Sequence, residues 1–585
     1  MIDVPAGAIA HYTAAGAWGR QTFAGLMAAL REKHPDREAL VDAADRETFM
    51  GGAPRRLNYA QAWDEVRSLA AMLMAHGMKR DDVLCMQLPN CNEAVKAYLA
   101  CALVGVVITP VPIQYREHEL GHILGMTRAR AIMTWRRCDG GANPQLERSL
   151  ALSRLHPAAD GTPATVLAWY TGDVPHAQAA ATARAEGHVS LTPGCATASQ
   201  LAVLDAWLSA NTVDANETFA LCWTSGTEGL PKGVPRSHNQ WLIAPRAVAE
   251  ACELADGVRM LNPFPLTNPG SLSGMVGPWL LTGGTLVQHQ PFNLEVFLRQ
   301  LREEAIDYTC ATPALLASLL QNEELARQVD FTRLRHIASG AAPLSEWMVR
   351  GFAEKFGVHI VNCYGSSEGA ALYSSHRDVP DPGERAQYFP RMGSPGFASR
   401  LTIAQWLQSR LVDAETGETI EAPGRPGELR VKGPNVFHGY YKAPELSAAA
   451  FDEQGYYRTG DVFEIAGARN EFYRFVGRTK DIVIRGGMNI SSAEVENLIQ
   501  GHPKVRETAV IGWPDERLGE RVCAVVVPRD GESLTLEELV AWLREHGKMA
   551  VYKLPERLLL SDGLPRNPTG KVLKRELRRL LPAQA

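Results

Sequence analysis

The run Trp223-Thr224-Ser225-Gly226-Thr227-Glu228-Gly229-Leu230-Pro231-Lys232-Gly233-Val234 concentrates hydroxyls, glycines and one lysine in twelve residues. Glycines let backbone N–H groups approach an anion with no Cβ in the way, and Thr and Ser hydroxyls add donors. Lys232 adds a point charge suited to phosphate. Alone, this composition also fits an ordinary surface loop. A P-loop is excluded, because its lysine must follow a glycine and precede a hydroxyl, whereas Pro231 and Gly233 flank Lys232. Gly570-Lys571-Val572 fails the same pattern, with Pro565 at the first glycine position and Val572 in place of the hydroxyl. A nucleotide bound here belongs to another fold.

The elements around these residues are expected to be α/β. Phe219–Trp223 makes a strand that delivers the glycine loop at its C-terminal end. His336–Leu344 is a strand closing on Gly340-Ala341-Ala342, and Val358–Tyr364 is one running into Gly365-Ser366-Ser367-Glu368-Gly369. Three strands therefore end in small-residue loops, where open α/β sheets bind ligands. Upstream, 57–77 has helical spacing, Val83–Leu88 is a strand, Glu93–Leu103 a helix and Val106–Ile108 a strand. Residues 136–217 are alanine-rich and broken by Pro157, Pro163, Pro175 and Pro193, so surface helices and connections are expected there. Hairpin signals at 413–418 and 426–431 mark a β-rich subdomain over 400–476. Beyond the polar break at 477–481, Ser491 with Glu494 and Thr535 with Glu538 each form a capping box ahead of a helix. The fold class is thus a large α/β N-terminal domain, 1–479, with the β-rich subdomain, and a small α+β C-terminal domain, 480–585.

At 585 residues the chain exceeds one ordinary domain, and 45% hydrophobic with 21% charged residues is a globular balance. A net charge of −5 argues against nucleic acid or a membrane surface as partner. The basic stretch 571–579 reads as a solvated terminal helix. Ten cysteines with no C-x-x-C pair fit a reducing cytoplasm. No signal peptide is visible, and the longest apolar run, Ala100–Ile113, is too short to span a bilayer and contains Pro110 and Pro112.

These stretches together resemble the adenylate-forming superfamily, which holds acyl-CoA synthetases, adenylation domains and luciferases. Thr224–Gly233 is similar to T-S-G-T-T-G-x-P-K-G, Tyr364–Glu368 to Y-G-x-T-E, and Tyr457–Asp461 to Y-x-T-G-D. Gly427-Glu428-Leu429, Gly433 and Gly439-Tyr440 match G-E-L…G…G-Y, Gly477–Asp481 the G-R-x-x-D/E hinge, and Pro568–Lys571 the terminal P-x-T-G-K. Six motifs in family order over some 350 residues make the match specific.

The resemblance implies ATP, Mg²⁺ and coenzyme A, or a phosphopantetheine thiol, as cofactors. It implies that Thr224, Ser225, Gly226, Thr227, Gly229 and Lys232 hold the β- and γ-phosphates, and that Glu368 with Thr227 binds Mg²⁺. Gly340, Ala341, Ala342, Tyr364, Gly365, Ser366 and Ser367 would form the adenine and phosphate slot. Asp461 and Arg478 would take the ribose, and Lys571 would act at the α-phosphate and the substrate carboxylate. Lys480 matches the hinge, about which the C-terminal domain swings to bring Arg485, Gly486 and Gly487 to the thiol tunnel. Phe264, Asn268, Pro269, Ser273, Gly340 and Gly365 would line the acyl pocket, with Asn268 also gating the tunnel.

Departures are Glu228 for the second threonine, expected to meet Arg236 or Lys232 or to point away, Ser367 for threonine, and Asn268 where relatives carry histidine or an aromatic. No charged residue lies in the pocket stretches, so an uncharged alicyclic, aromatic or medium-chain acid is expected. Tyr115–Leu120 resembles cyclohexanecarboxylate-type ligases, and Tyr12…Trp18…Thr22-Phe23 resembles stand-alone aryl-acid adenylating enzymes. Thus an acyl-CoA synthetase is the main reading, acting as monomer or homodimer. An adenylating enzyme loading a separate carrier protein is the alternative, and a non-catalytic nucleotide-binding homologue the remote one.

Overall fold

Strands covered on both faces need near-continuous apolar runs, and Val83–Met86 and Thr285–Gln288 are buried throughout. A computed structural model describes residues 1–138, 141–171, 174–224, 231–393, 399–413, 416–478, 481–485, 488–515, 517–546, 549, 551–566 and 572–579. Among the described residues, four sheets carry the fold. The first runs in the order Val189–Leu191, Thr165–Tyr170, Ala131–Arg136, Val83–Met86, Val107–Pro110, Thr218–Thr224, Lys232–Ser237. It is parallel except for its last pair. The second runs Ala371–Ser374, His359–Gly365, His336–Gly340, Tyr308–Ala311, Arg259–Asn262, Thr285–Gln288, Glu38–Val41, Arg56–Asn58, with antiparallel strands only at its two edges.

One buried cluster joins both sheets. It takes Leu84 and Met86 from the first, Met260 and Val361 from the second, and Tyr98 and Trp241 from two helices. The helix Asn92–Val104 is buried on nearly every face, and no helix among the described residues is long and apolar enough to cross a membrane. The helix His238–Ala251 continues directly from Lys232–Ser237. Ser237 caps it in a box with Gln240, so the glycine loop leads through one strand into a wholly packed helix.

An antiparallel sheet of Tyr388–Pro390, Phe472–Arg478, Tyr457–Ala466, Gly427–Lys432, Gln408–Val412 and Thr419–Ile420 supplies the β-rich region. The last sheet holds Met488–Ser491, Ile482–Arg485, Gly519–Pro528, Val505–Asp515 and Arg557–Leu560, with clusters of its own around Val510 and Ile511. The α/β reading therefore stands, with four local corrections.

Region 136–217 is more than surface helices, because Thr165–Tyr170 and Val189–Leu191 extend the first sheet. Their apolar alternation was obscured by the prolines between them. The 57–77 pattern divides: Leu57 belongs to an edge strand, and Asn58 caps the helix Tyr59–Ala75. Only half of the Ser491 box forms, since Glu494 donates its N–H to Ser491 while its carboxylate takes Lys553 at 2.8 Å. The terminal helix Lys574–Arg579 is docked rather than solvated, with Leu577 buried and Lys574 paired to Glu496 at 2.7 Å. The Thr535–Glu538 box is complete.

The N-terminal Tyr12…Trp18…Thr22-Phe23 pattern is a packing signature. Tyr12 lies against Trp18, whose Nε1 donates to the Pro434 carbonyl at 3.0 Å, and Thr22 caps a helix. Phe23 stacks on Phe219 at 4.3 Å, and His238 stacks on the same ring at 4.8 Å. Burial pushes the His238 imidazole down to about 3. A base depressed in the fold is protonated more readily when unfolded. Its contribution is therefore complete above its ordinary 6.5 and is lost as pH falls toward about 3. His238→Phe is expected to flatten the acid side of the stability profile in that window, by at most about 1.4 kcal/mol per pH unit. Urea unfolding at stepped pH checks this, and an unaltered slope in the variant would contradict a buried neutral imidazole.

Candidate nucleotide-binding site

Thr224 and Lys232 are register partners at the mouth of an antiparallel hairpin, with Thr224 Oγ1 donating to the Lys232 carbonyl at 3.5 Å. Trp223 fixes this strand end by donating its Nε1 to Thr109 Oγ1 at 2.6 Å. Opposite, the Tyr441 N–H donates to the Gly233 carbonyl at 2.9 Å. The Lys232 ammonium consequently stands 5.2 Å above the Tyr440 ring. The Tyr440 hydroxyl donates to Glu368 Oε1 at 3.0 Å.

Glu368 is 8% exposed, in a turn closed by Ser366 N–H to Ala370 O and by Phe437 N–H to its own carbonyl. Gly369 makes the turn possible. Its φ is +102°, and a Cβ there would strike the Asn435 carbonyl. Behind the carboxylate, Arg236 is fully packed on the Trp241 ring at 4.0 Å and donates to the Gln240 carbonyl at 2.8 Å. Burial pushes Arg236 down to about 10, against the opposing pull of Cys222, Tyr373 and then Glu368, so it stays a cation near neutrality.

A second group forms at the end of the strand His359–Gly365, just ahead of the Glu368 turn. Tyr364 donates its hydroxyl to Asp461 Oδ2 at 2.7 Å, and Arg478 Nε lies 3.1 Å from Asp461 Oδ1. Asp461 and Arg478 face each other across the Tyr457–Ala466/Phe472–Arg478 hairpin, and Asp461 is 4% exposed. A hydrogen bond to an ionised group contributes about 1.5–3 kcal/mol, whereas the Arg478 pair, more open to water, counts for less. Burial of the Tyr364 hydroxyl, and then the Asp461 charge, push that phenol well above its ordinary range. Tyr457 links the two groups. Its buried hydroxyl meets Tyr440 and feels both Glu368 and Tyr364, so its pKa is also raised, by burial first.

Gly340 lies beside Cys363 in the parallel ladder, one residue before Tyr364. A Cβ on Gly340 would overlap the Cys363 carbonyl oxygen, so the strands meet there only through glycine. Ala341 follows at φ 66°, a left-handed conformation that costs an L-residue about 1–2 kcal/mol. Ser366 Oγ is buried without a hydrogen-bond partner.

The structure thus brings together Thr224, Lys232 and Glu368 in one group and Tyr364, Asp461 and Arg478 in another, with Gly340, Ala341, Gly365, Ser366 and Ser367 on the adjoining strand ends. Ser225, Gly226, Thr227, Glu228, Gly229, Lys480, Gly486, Gly487 and Lys571 lie outside the described residues. Arg485 stands apart from both groups, forked onto Glu556 at 2.7 and 3.0 Å.

In the stretch Phe264–Met275, Asn268 is used as a cap, its Oδ1 accepting from the Gly270 N–H at 2.8 Å. Phe264 is held through its carbonyl by Asn90, and Ser273 sits in a π-helical turn, Leu272–Val276, of the kind often found at functional sites. Thr267 Oγ1 is buried without a partner. Tyr440 and Tyr457 stood in the motifs without a role, and Arg236 was considered only as a partner for Glu228. Their function as supports follows from long-range packing that spacing does not show.

A family model described as "AMP-binding enzyme" matches residues 28–441, and one described as "AMP-binding enzyme C-terminal domain" matches 494–571. The chain belongs to the AMP-binding enzyme family. A medium-chain fatty-acid–CoA ligase of Escherichia coli is 32% identical over 97% of this chain and 92% of its own. A salicyl-AMP ligase / salicyl-S-ArCP synthetase of Mycobacterium tuberculosis is 29% identical over 99% and 94%. The crystal structure of ATP-bound MatB from Rhodopseudomonas palustris superposes with a TM-score of 0.72 at 25% identity, covering 96% of this chain and 99% of that one. This protein is accordingly an enzyme, a ligase of the adenylate-forming class. Gly340→Ala should separate the two strand ends and cost about 3 kcal/mol of stability. Urea denaturation reads this, and a variant as stable as the parent would show that the ladder can yield at this point.

Proposed function

We propose that this enzyme joins an uncharged alicyclic, aromatic or medium-chain acid to the thiol of coenzyme A. A carboxylate oxygen attacks the α-phosphorus of ATP, and the bond to pyrophosphate breaks. The thiol sulfur then attacks the acyl carbon, and AMP leaves. The observation that carries this reading is the pair of buried carboxylates, Glu368 and Asp461, each held by a tyrosine hydroxyl, with the Lys232 ammonium over the ring of the tyrosine that holds Glu368.

Lys232 and Thr224, with Ser225–Gly229, hold the β- and γ-phosphates. Asp461 accepts from the ribose hydroxyls, an acceptor-only role that suits an ionised carboxylate. Tyr364 and Arg478 position Asp461 by occupying one oxygen each. Gly340-Ala341-Ala342 and Tyr364-Gly365 leave a slot without side-chain bulk for adenine. Lys571 neutralises charge where two anions meet, and no general base is required. The donor set fits Mg²⁺, because Glu368 is a buried carboxylate beside the unpartnered Ser366 hydroxyl, and hard oxygens are what that ion takes. Glu368 and Thr227 would hold it, and when bound it would offset phosphate charge.

The acid lies against Phe264, Asn268, Pro269, Ser273, Gly340 and Gly365, and no acidic or basic residue occurs between Phe264 and Met275. Residues 480–585 act as a separate unit turning at Lys480, which brings Arg485, Gly486 and Gly487 toward the thiol. Ten free cysteines fit a reducing, cytoplasmic setting.

The name of the Mycobacterium tuberculosis relative favours a second reading, in which the thiol belongs to a phosphopantetheine on a separate carrier protein. AMP release with coenzyme A as the sole thiol decides for the ligase, and release only with a loaded carrier decides against it. Lys571→Ala should nearly abolish ATP–pyrophosphate exchange, screened over a panel of acids. It should leave conversion of a supplied acyl-adenylate with thiol largely intact. Equal loss of both half-reactions would remove the role given to this lysine.

A further inference from the structure

Strands of the second sheet carry chemistry at both ends. His336 and His359 begin the two strands that finish at Gly340 and Gly365, and they are register partners in the ladder. His376 follows the antiparallel edge strand Ala371–Ser374, with its ring stacked 4.1 Å from His359 at 6° and 5.3 Å from His336. Glu253 comes just after the helix His238–Ala251, held at φ 48° so that its carboxylate turns to the sheet. Its oxygens lie 4.0 Å from His336 Nε2 and 3.9 Å from His376 Nε2.

We propose that Glu253, His336 and His376 form a binding site for a divalent transition ion of the zinc class, distinct from the nucleotide site. The three ligand atoms all lie within 4.8 Å of one another. Zinc bonds of about 2.0–2.2 Å set tetrahedral ligand atoms roughly 3.3–3.5 Å apart, so small side-chain rotations close the triad. His336 is 8% exposed, and its Nε2 is buried with no hydrogen-bond partner, an orphan that a metal bond would satisfy. His359 Nδ1 and His376 Nδ1 are likewise unpartnered. Two nitrogens and one carboxylate select zinc, cobalt or nickel over magnesium, which prefers oxygen and water.

The imidazoles are kept neutral, as metal ligands must be. Burial, then His376 and His359, push His336 down to about 4, and burial also lowers the other two. Three cations face the cluster. Arg377 pairs with Glu253 through its Nε, Arg385 acts on His359 and His376, and Arg335 on His336. Arg385 is engaged by three backbone carbonyls, whereas Arg377 is half-exposed and can release Glu253 into water. Glu253 is exposed and His376 partly so, which gives an ion an entry path. Once bound, it would clasp the end of the helix that begins at the phosphate hairpin to the edge of the sheet that carries Gly340 and Tyr364.

The test uses the full chain, stripped with chelator and titrated with zinc or cobalt chloride in a non-coordinating buffer. The expected result is one saturable site per chain, visible absorption of tetrahedral cobalt, and a thermal midpoint that zinc raises and magnesium does not. His376→Gln should weaken zinc by at least the roughly 10- to 100-fold that loss of an orienting partner costs. Arg377→Gln should tighten it by freeing Glu253. If His336→Gln compromises folding, Glu253→Gln, on an exposed position, serves in its place. Absence of saturable zinc binding, or binding undiminished in the Glu253→Gln/His376→Gln double variant, would overturn the site.

Discussion

Two carboxylates, Glu368 and Asp461, are buried at the candidate site. Taking Glu368 and Asp461 out of water would be prohibitive if each were unpaired, since an unpartnered buried charge costs several kcal/mol. Each is held by a tyrosine hydroxyl, and each has a guanidinium in range, Arg236 behind one and Arg478 beside the other. Arg236 and Arg478 are not equivalent. The first is sealed under Trp241 and contributes a fixed field, while the second is partly open and can exchange partners. The two carboxylates are therefore charge-balanced by groups of this chain. Lys232, raised over the Tyr440 ring, is the cation least committed to a carboxylate among the described residues of the group.

That balance dictates much of the architecture. Tyr440 and Tyr457 must come from the β-rich region to reach Glu368 and Tyr364 at the ends of the parallel strands, so the two regions share one buried cluster through Phe463 and Leu429. Tyr364 pays for its position twice: its ring packs edge-on against Phe463 at 5.2 Å while its hydroxyl holds Asp461. The close approach at Gly340 and the turn at Gly369 are the steric conditions for the same arrangement, because a side chain at either would move the carboxylates relative to Lys232.

The sequence made the strand–loop framework and the polar endpoints legible. Glycine loops, buried apolar runs and the motif order located Thr224, Lys232, Tyr364, Glu368, Asp461 and Arg478 without coordinates. What escaped was pairing over long separations. The Tyr440 hydroxyl on Glu368 spans 72 residues and the Tyr364 hydroxyl on Asp461 spans 97, and no local period encodes either. The strands in 136–217 were hidden by composition, since alanine and proline mask an alternation that only the sheet neighbours complete. Asn268 holds the position at which the resemblance implies a gate, and its side chain caps the backbone there, a use open to any Asn that precedes a helical turn. The grouping of Glu253, His336 and His376 escapes the sequence for the same reason as the tyrosine pairs: Glu253 and His376 are 123 positions apart.

The chain is tied to the C-terminal sheet on either side of residues 567–571. Arg566 and Val572 form an antiparallel bridge, and the Leu573 N–H donates to the Pro565 carbonyl at 2.8 Å. Just beyond, Leu577 is buried against the C-terminal sheet and Lys574 is tied to Glu496, a carboxyl whose pKa burial raises while Lys574 opposes the rise. On the proposed mechanism, the described residues that flank Lys571 in sequence would travel with the C-terminal sheet on which Leu577 is packed. Arg485, forked to Glu556 at the edge of that same sheet, would travel with it.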